Sequence, residues 1–217
     1  ISAYCFERCY ELTEVNAPNV TSLNSYCFCN SDLVSVDFPL VTTLGDNCFN
    51  NCTKLTSIDL PLATSLGARC FYSCTNLTSI NIPKITNLGD YSFASCTKLA
   101  SIDLPLVTTI PTNCFEDCYK LTEVNMPNVT SLNGYCFYNS GLVSADFPLV
   151  TTVNYNCFED CRYLTSVNLP KATSFGDRCF DYCDSLTSIS LPSATSLGQY
   201  CFDHCTKLAE INIPNVT

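Results

Sequence analysis

The sequence predicts a single repeat solenoid of the mixed α/β class, with a parallel sheet of short strands on one side and short helical turns on the other. Three observations predict it. Prolines recur every 22 residues from Pro18 to Pro214, with the spacing shortened to 21 twice. Ten Leu, ten Phe and ten Thr fill three columns without exception, from Leu12 to Leu208, Phe6 to Phe202 and Thr21 to Thr217. Residues 1–108 align with 110–217 without a gap and agree at about two thirds of positions. Self-similarity at such a period marks stacked repeats, each too small to bury its own apolar stripe. Residues 1–217 therefore read as one continuous solenoid of about ten units, itself an internal duplication. The two short units, Asn30-Ser31-Asp32-Leu33 and Asn139-Ser140-Gly141-Leu142, lie 109 residues apart.

Each element follows from the unit running from Leu55 to Asn76. Ile58 and Leu60 alternate with Ser57 and Asp59, the pattern of a half-buried strand. Pro61 cannot donate to a ladder and ends it. Ala63-Thr64-Ser65-Leu66 is a second short extended piece, and Gly67 then permits a sharp turn. Cys70, Phe71 and Cys74 fall at i, i+1 and i+4, the inner stripe of one or two helical turns. Leu77 restarts the strand. The column of ten Thr suits a short strand whose hydroxyls bond along the stack.

Strand L-x-x-I-x-L-P, then T-x-L-G, then C-F-x-x-C resembles the BspA-type leucine-rich repeat of bacterial and protozoan surface proteins, over the whole chain. In that family the last motif usually reads A-F-x-x-C, and Cys70 and its equivalents stand at the Ala. The resemblance implies a right-handed leucine-rich-repeat coil and a surface adhesin or binding module rather than an enzyme. An extracellular or cell-surface location is implied by the same resemblance, as is a partner that is a protein or a glycan.

Eighteen cysteines sit mainly as pairs, among them Cys48/Cys52, Cys70/Cys74, Cys157/Cys161 and Cys179/Cys183. A bridge within a pair is disfavoured, because i,i+4 Cβ atoms lie ~5–6 Å apart and a disulfide needs about 3.8 Å. Bridges between neighbouring coils are easier. Yet linking a second Cys to the next unit's first Cys would set Cys74 against Ser92 and Cys157 against Ser140, which favours two ladders of buried thiols acting as small hydrophobes. Metal binding is disfavoured: the pairs are not C-x-x-C, and no His clusters with them.

The outward strand columns are monotonous: Ser or Glu in one, and Asp, Asn or Ser in the other. They hold no aromatic residue of the kind that anchors a protein interface. Variation gathers at the opposite edge, where Tyr10, Tyr26, Tyr72, Tyr91, Tyr119, Tyr135, Tyr138, Tyr163, Tyr182 and Tyr200 make a candidate contact edge. No catalytic constellation is present. His204 is the one histidine, the carboxylates are scattered by column, and no phosphate-loop, nucleotide-binding or nucleophile-elbow motif occurs. No cofactor is expected.

Twenty Asp+Glu against ten Lys+Arg leave a formal charge of −10, which argues against nucleic acid and anionic membrane as partners. No apolar run approaches the ~20 residues of a membrane span. Ile1 opens within a unit and Thr217 stops just after a strand, so copies stacking end to end into an extracellular filament are a second expectation. A third is an ice- or polymer-binding face on the Thr/Ser ladder.

Overall fold

A computed structural model describes all residues of the chain, 1–217. They wind into a parallel β-solenoid of about nine turns. A representative coil has three sides: the strand Ser57–Asp59, the strand Ser65–Leu66, and a turn segment that carries Cys70, Phe71 and Cys74. Leu55, Ile58, Leu60, Leu66, Cys70, Phe71, Cys74 and Leu77 all point inward and are buried. Their equivalents merge into one core cluster of 57 buried residues that runs the length of the stack.

The strands pair in parallel and in register, so each column faces its own copy. The three-residue strands pair two by two: Glu14–Asn16 with Ser35–Asp37, Ser57–Asp59 with Ser79–Asn81, and Ser101–Asp103 with Glu123–Asn125. Ser144–Asp146 pairs with Ser166–Asn168, and Ser188–Ser190 with Glu210–Asn212. Side chains follow the same pairing. Asn81 Nδ2 donates to Asp59 Oδ1 at 2.8 Å, Asn125 to Asp103 at 2.9 Å and Asn168 to Asp146 at 2.7 Å. Two carboxylates stacked ~4.8 Å apart would repel, and an alternating amide supplies a donor instead. From Asp59 to Asn168 the column alternates Asp and Asn, a two-coil period laid over the 22-residue one.

The turn side is not helical, which corrects the expectation of one or two helical turns. Twenty non-glycine residues have φ between 52° and 60°, in two columns that flank each Cys-Phe pair. Arg69 (φ 54°) and Ser73 (φ 57°) are one such set. The physical reason is where the donors go. The N–H groups of Arg69, Phe71 and Ser73 reach the carbonyls of Asp90, Ser92 and Ala94 in the next coil at 2.8–2.9 Å, while those of Tyr72 and Cys74 close local turns. A helix would spend all of these within its own segment. The left-handed conformation costs on the order of 1 kcal/mol at each non-glycine residue. The gain is a third ladder between coils. Of 120 backbone hydrogen bonds, only 15 belong to the strands, so turns and loops do most of the stitching.

Gly67 also has a different role from the expected one. No glycine has a positive φ. A Cβ at Gly67 would lie 2.4 Å from the Asp46 nitrogen and 2.5 Å from the Gly45 carbonyl carbon, so the residue is small because two coils touch there.

The threonine column bonds along the stack through both backbone and side chain. Thr42 Oγ1 donates to the Thr21 carbonyl at 3.1 Å, Thr64 to Thr42 at 3.2 Å and Thr130 to Thr108 at 3.1 Å. These hydroxyl protons are spent inside the protein. Thr130→Val keeps the branched shape and removes one such bond. It is expected to cost about 1 kcal/mol in urea denaturation. An unchanged midpoint would show that the hydroxyl adds nothing to the ladder.

Candidate binding surface

Two long faces are available to a partner. On the strand side the outward columns are exposed and carry no aromatic ring. Shallow grooves open where one strand pair ends and the next begins, one of them lined by Ser35, Ser57, Asp59 and Ser79. Asp59 there is already bonded along the stack by Asn81.

The turn side carries the aromatic area, in several separate columns rather than one patch. Tyr26, Tyr91, Tyr135 and Tyr200 occupy the left-handed position before the first Cys. Tyr72 and Tyr138 directly follow the Phe, Tyr182 (φ 58°) holds the second left-handed position, Tyr10 and Tyr119 directly follow the second Cys, and Tyr163 stands one residue further on. Tyr26 stacks on Tyr4 with centroids 4.9 Å apart. The Arg69 guanidinium lies 4.5 Å over Tyr91, Arg178 5.0 Å over Tyr200 and Arg162 5.3 Å over Tyr182. Such contacts hold a ring in place at about 0.5–1 kcal/mol each at exposed sites. Tyr10, Tyr119 and Tyr163 are exposed and stack on no other ring.

Sequence reasoning missed Tyr155. It meets Tyr135 edge-on at 5.5 Å, and Tyr135 in turn meets Tyr138 at 5.6 Å. The cluster exists only in the second half of the chain. Asn154-Tyr155 stands there in place of Gly45-Asp46, a departure from the T-x-L-G motif that is the available signal. Burial, aided by Glu159, raises the Tyr135 phenol above its ordinary value, and burial aided by Asp160 does the same for Tyr138.

The carboxylates are less scattered than the columns suggest. Asp181 is fully buried, with Oδ1 3.1 Å from His204 Nδ1 and Oδ2 3.3 Å from Arg178 Nη1. Asp203 Oδ2 lies 3.4 Å from the same imidazole nitrogen, and the ring stacks on Tyr182 at 4.1 Å. Ligand atoms of Asp181, Asp203 and His204 fall within 4.8 Å of one another, the spacing of a metal site. Both Asp181 oxygens are already engaged by positive or proton-bearing groups, so the arrangement is a closed ion-pair network that fixes His204 against the turn.

These stacked coils match known proteins. The family model for the BspA type leucine-rich repeat region matches residues 1–118, 42–165 and 130–217. The chain belongs to the BspA-type leucine-rich repeat family. Among solved structures it is similar to a leucine-rich cell surface protein from Faecalibacterium prausnitzii A2-165, with TM-score 0.74 and 23% identity over 93% of this chain and 69% of that one. It is also similar to a leucine-rich repeat protein from Bacteroides ovatus ATCC 8483 (TM-score 0.60, 22% identity, 99% of this chain and 76% of that one). The T. pallidum leucine-rich repeat protein gives TM-score 0.64 and 24% identity over 79% of this chain and 82% of that one. At these identities the likeness shows the fold. No curated protein matches the chain.

In this BspA-type solenoid the cysteines stack column upon column, all of them free. Cys48, Cys52, Cys70, Cys74, Cys157, Cys161, Cys179 and Cys183 are each 0% exposed. Ser31 lies against Cys52, Ser92 against Cys114 and Ser140 against Cys161, at 3.2–3.4 Å, so neighbours share a column and do not cross between columns. The second-column thiols are more than small hydrophobes. Cys74 Sγ donates to the Phe49 carbonyl of the preceding coil at 3.1 Å, Cys96 to Phe71 at 3.1 Å and Cys118 to Phe93 at 3.2 Å. Each Phe carbonyl thus accepts both a local N–H and a thiol from the next coil. Burial pushes the Cys52 and Cys161 thiols up to about 12. Cys27 is held below its ordinary value by the adjacent Cys48 thiol.

Proposed function

We propose that the chain is a non-enzymatic binding module of a cell-surface protein, which grips a protein partner through its tyrosine-bearing turn edge. The observation that carries this reading is the distribution of exposed aromatic area. Tyr4, Tyr10, Tyr119, Tyr155, Tyr163 and Tyr200 are exposed on the turn side, and the strand face offers only Ser, Glu, Asp and Asn. Tyrosine is among the residues that carry binding hot spots, because its rigid ring buries much area at low entropic cost. Membership of the family supports a binding scaffold. The surface location rests on the resemblance to the F. prausnitzii cell surface protein. The non-enzymatic reading is supported by the family and by His204, whose ring is stacked on Tyr182 and bonded to the buried Asp181.

The test is retention of the purified chain on an array of extracellular-matrix and host-surface proteins. It is repeated with Tyr10→Ser, Tyr155→Ser and Tyr200→Ser combined, and separately with Ser101→Arg and Ser144→Arg on the strand face. Loss of retention in the tyrosine set alone is the expected result. Loss in the strand-face set alone would move the contact to the sheet and overturn the edge assignment. Regular filaments of the unliganded chain in electron microscopy would favour self-stacking instead.

A further inference from the structure

The two halves of the chain differ in chemistry around the second short unit, where a notch opens. The short unit Asn139-Ser140-Gly141-Leu142 lies between the coil that carries Tyr119 and the coil that carries Tyr163. Two adjoining hollows of about 300 and 350 Å³ occupy the notch, and Tyr119, Lys120 and Tyr163 line both. Asn139, Asp160 and Arg162 complete the rim of the first. The floor is Gly141, where a Cβ would meet the Tyr119 carbonyl oxygen at 2.3 Å. Tyr119 is 49% exposed and Tyr163 65%, and neither has an aromatic neighbour to cover it.

The first half supplies an internal control. Glu11, Asp32, Thr53 and Lys54 stand where the second half has Lys120, Gly141, Arg162 and Tyr163, although the halves agree at about two thirds of all positions. There Lys54 Nζ pairs with Asp32 at 2.6 Å, and no hollow forms. Three changes therefore act together in the second half: the side chain on the floor is removed, a lysine wall becomes a ring, and the rim glutamate becomes a cation.

The charges at the rim identify what the hollow lacks. Arg162 is occupied, with Nη2 2.6 Å from Asp160 and Nη1 3.3 Å from Asp184. Asp117 accepts from Asn139 Nδ2 at 2.8 Å. Burial and the neighbouring Asp117 raise the Tyr119 phenol, which keeps it a neutral donor. Of the two cations lining the hollow, Arg162 is paired and Lys120 has no carboxylate within 4.0 Å. We infer that this notch is a binding subsite for a hexuronic acid, a pyranose ring bearing one carboxylate. The two tyrosines stand on coils two apart, about 10 Å by the strand spacing. That separation admits one sugar ring with its C–H faces against aromatic walls. Lys120 takes the carboxylate, and Asn139 and Asp160 take ring hydroxyls. The volume lies at the small end for ligand pockets and suits one sugar residue.

The subsite shares Tyr119 and Tyr163 with the proposed protein-binding edge, and its test uses a small sugar so that the two readings can fail separately. Methyl β-D-glucuronide is titrated against the folded chain and followed by ligand-observed NMR, with methyl β-D-glucopyranoside as the uncharged control. The expected result is binding of the glucuronide in the millimolar range, about fivefold tighter than the glucoside. Lys120→Glu and Tyr163→Lys install the residues of the first half at exposed positions, so folding is unaffected. Lys120→Glu is expected to erase the preference for the charged sugar, and Tyr163→Lys to abolish binding of both. A glucuronate-containing tetrasaccharide that binds more tightly than the monosaccharide would identify a glycan chain as the source, and equal binding a single sugar residue. No binding of either methyl glycoside at 20 mM, or binding indifferent to both substitutions, would overturn the assignment whatever the matrix array shows.

Discussion

Between pH 9 and about pH 10 the protein is expected to unfold. Eleven interior thiols, Cys52 and Cys161 among them, are raised by burial from an ordinary value of 9.0, those two to about 12. Their folded values lie above the unfolded one. The stability they contribute is therefore complete below pH 9 and is lost as the pH climbs toward the folded values. At pH 10 the unfolded chain gains roughly 1 kcal/mol for each thiol it ionises, while the buried thiol stays protonated. Summed over the interior thiols the effect is on the order of 10 kcal/mol, comparable to the stability of an ordinary domain. Repulsion among thiolates in an anionic unfolded chain trims the figure and leaves its sign. Circular dichroism and thiolate absorbance, recorded together under reducing conditions, should change in one cooperative step. A chain still folded at pH 11, with thiols titrating singly near 9, would show that the interior columns are open to water.

Phe115→Ala should be among the most damaging single substitutions. Phe115 is fully buried, and its ring stacks 5.5 Å from Phe93 at 1° and 5.4 Å from Phe137 at 8°. The column continues at 5.3–5.6 Å from Phe6 to Phe202. In-register stacking leaves no neighbouring side chain free to fill the hole, so the cost should fall at about 3–5 kcal/mol. Each coil touches only the coils beside it, so a hole in the middle also weakens the coupling between the two ends. The urea transition is expected to shift down and broaden or split in two. Phe6→Ala, at a partly exposed ring near one end, should cost less than half as much and leave the transition sharp. Equal costs at the two positions would mean that the stack is not coupled coil to coil.

Much of the candidate surface was visible in the sequence, but not its grouping. The tyrosines at the turn edge could be named from their columns, whereas which of them occupy left-handed positions needed the structure. Six Asn and two Asp among those twenty positions were the available clue, since these residues tolerate that conformation best. Tyr155 and the contact of Asp181 with His204 bring together residues from different coils, at spacings no single motif contains. The notch needed both the deletion at Gly141 and the coils on either side of it.

The linear sequence determined the period, the ends of the strands at the prolines, and the Leu, Phe and Thr columns. Each is a one-dimensional constraint: a residue repeated every 22 positions in a stacked chain must meet its own copy. Only the tertiary structure decided how the Cys-Phe segment turns. Inward residues at i, i+1 and i+4 suit a helical turn and a left-handed turn equally well. What separates them is the destination of the alternate N–H groups, and the carbonyls that receive them belong to a coil 22 residues further along.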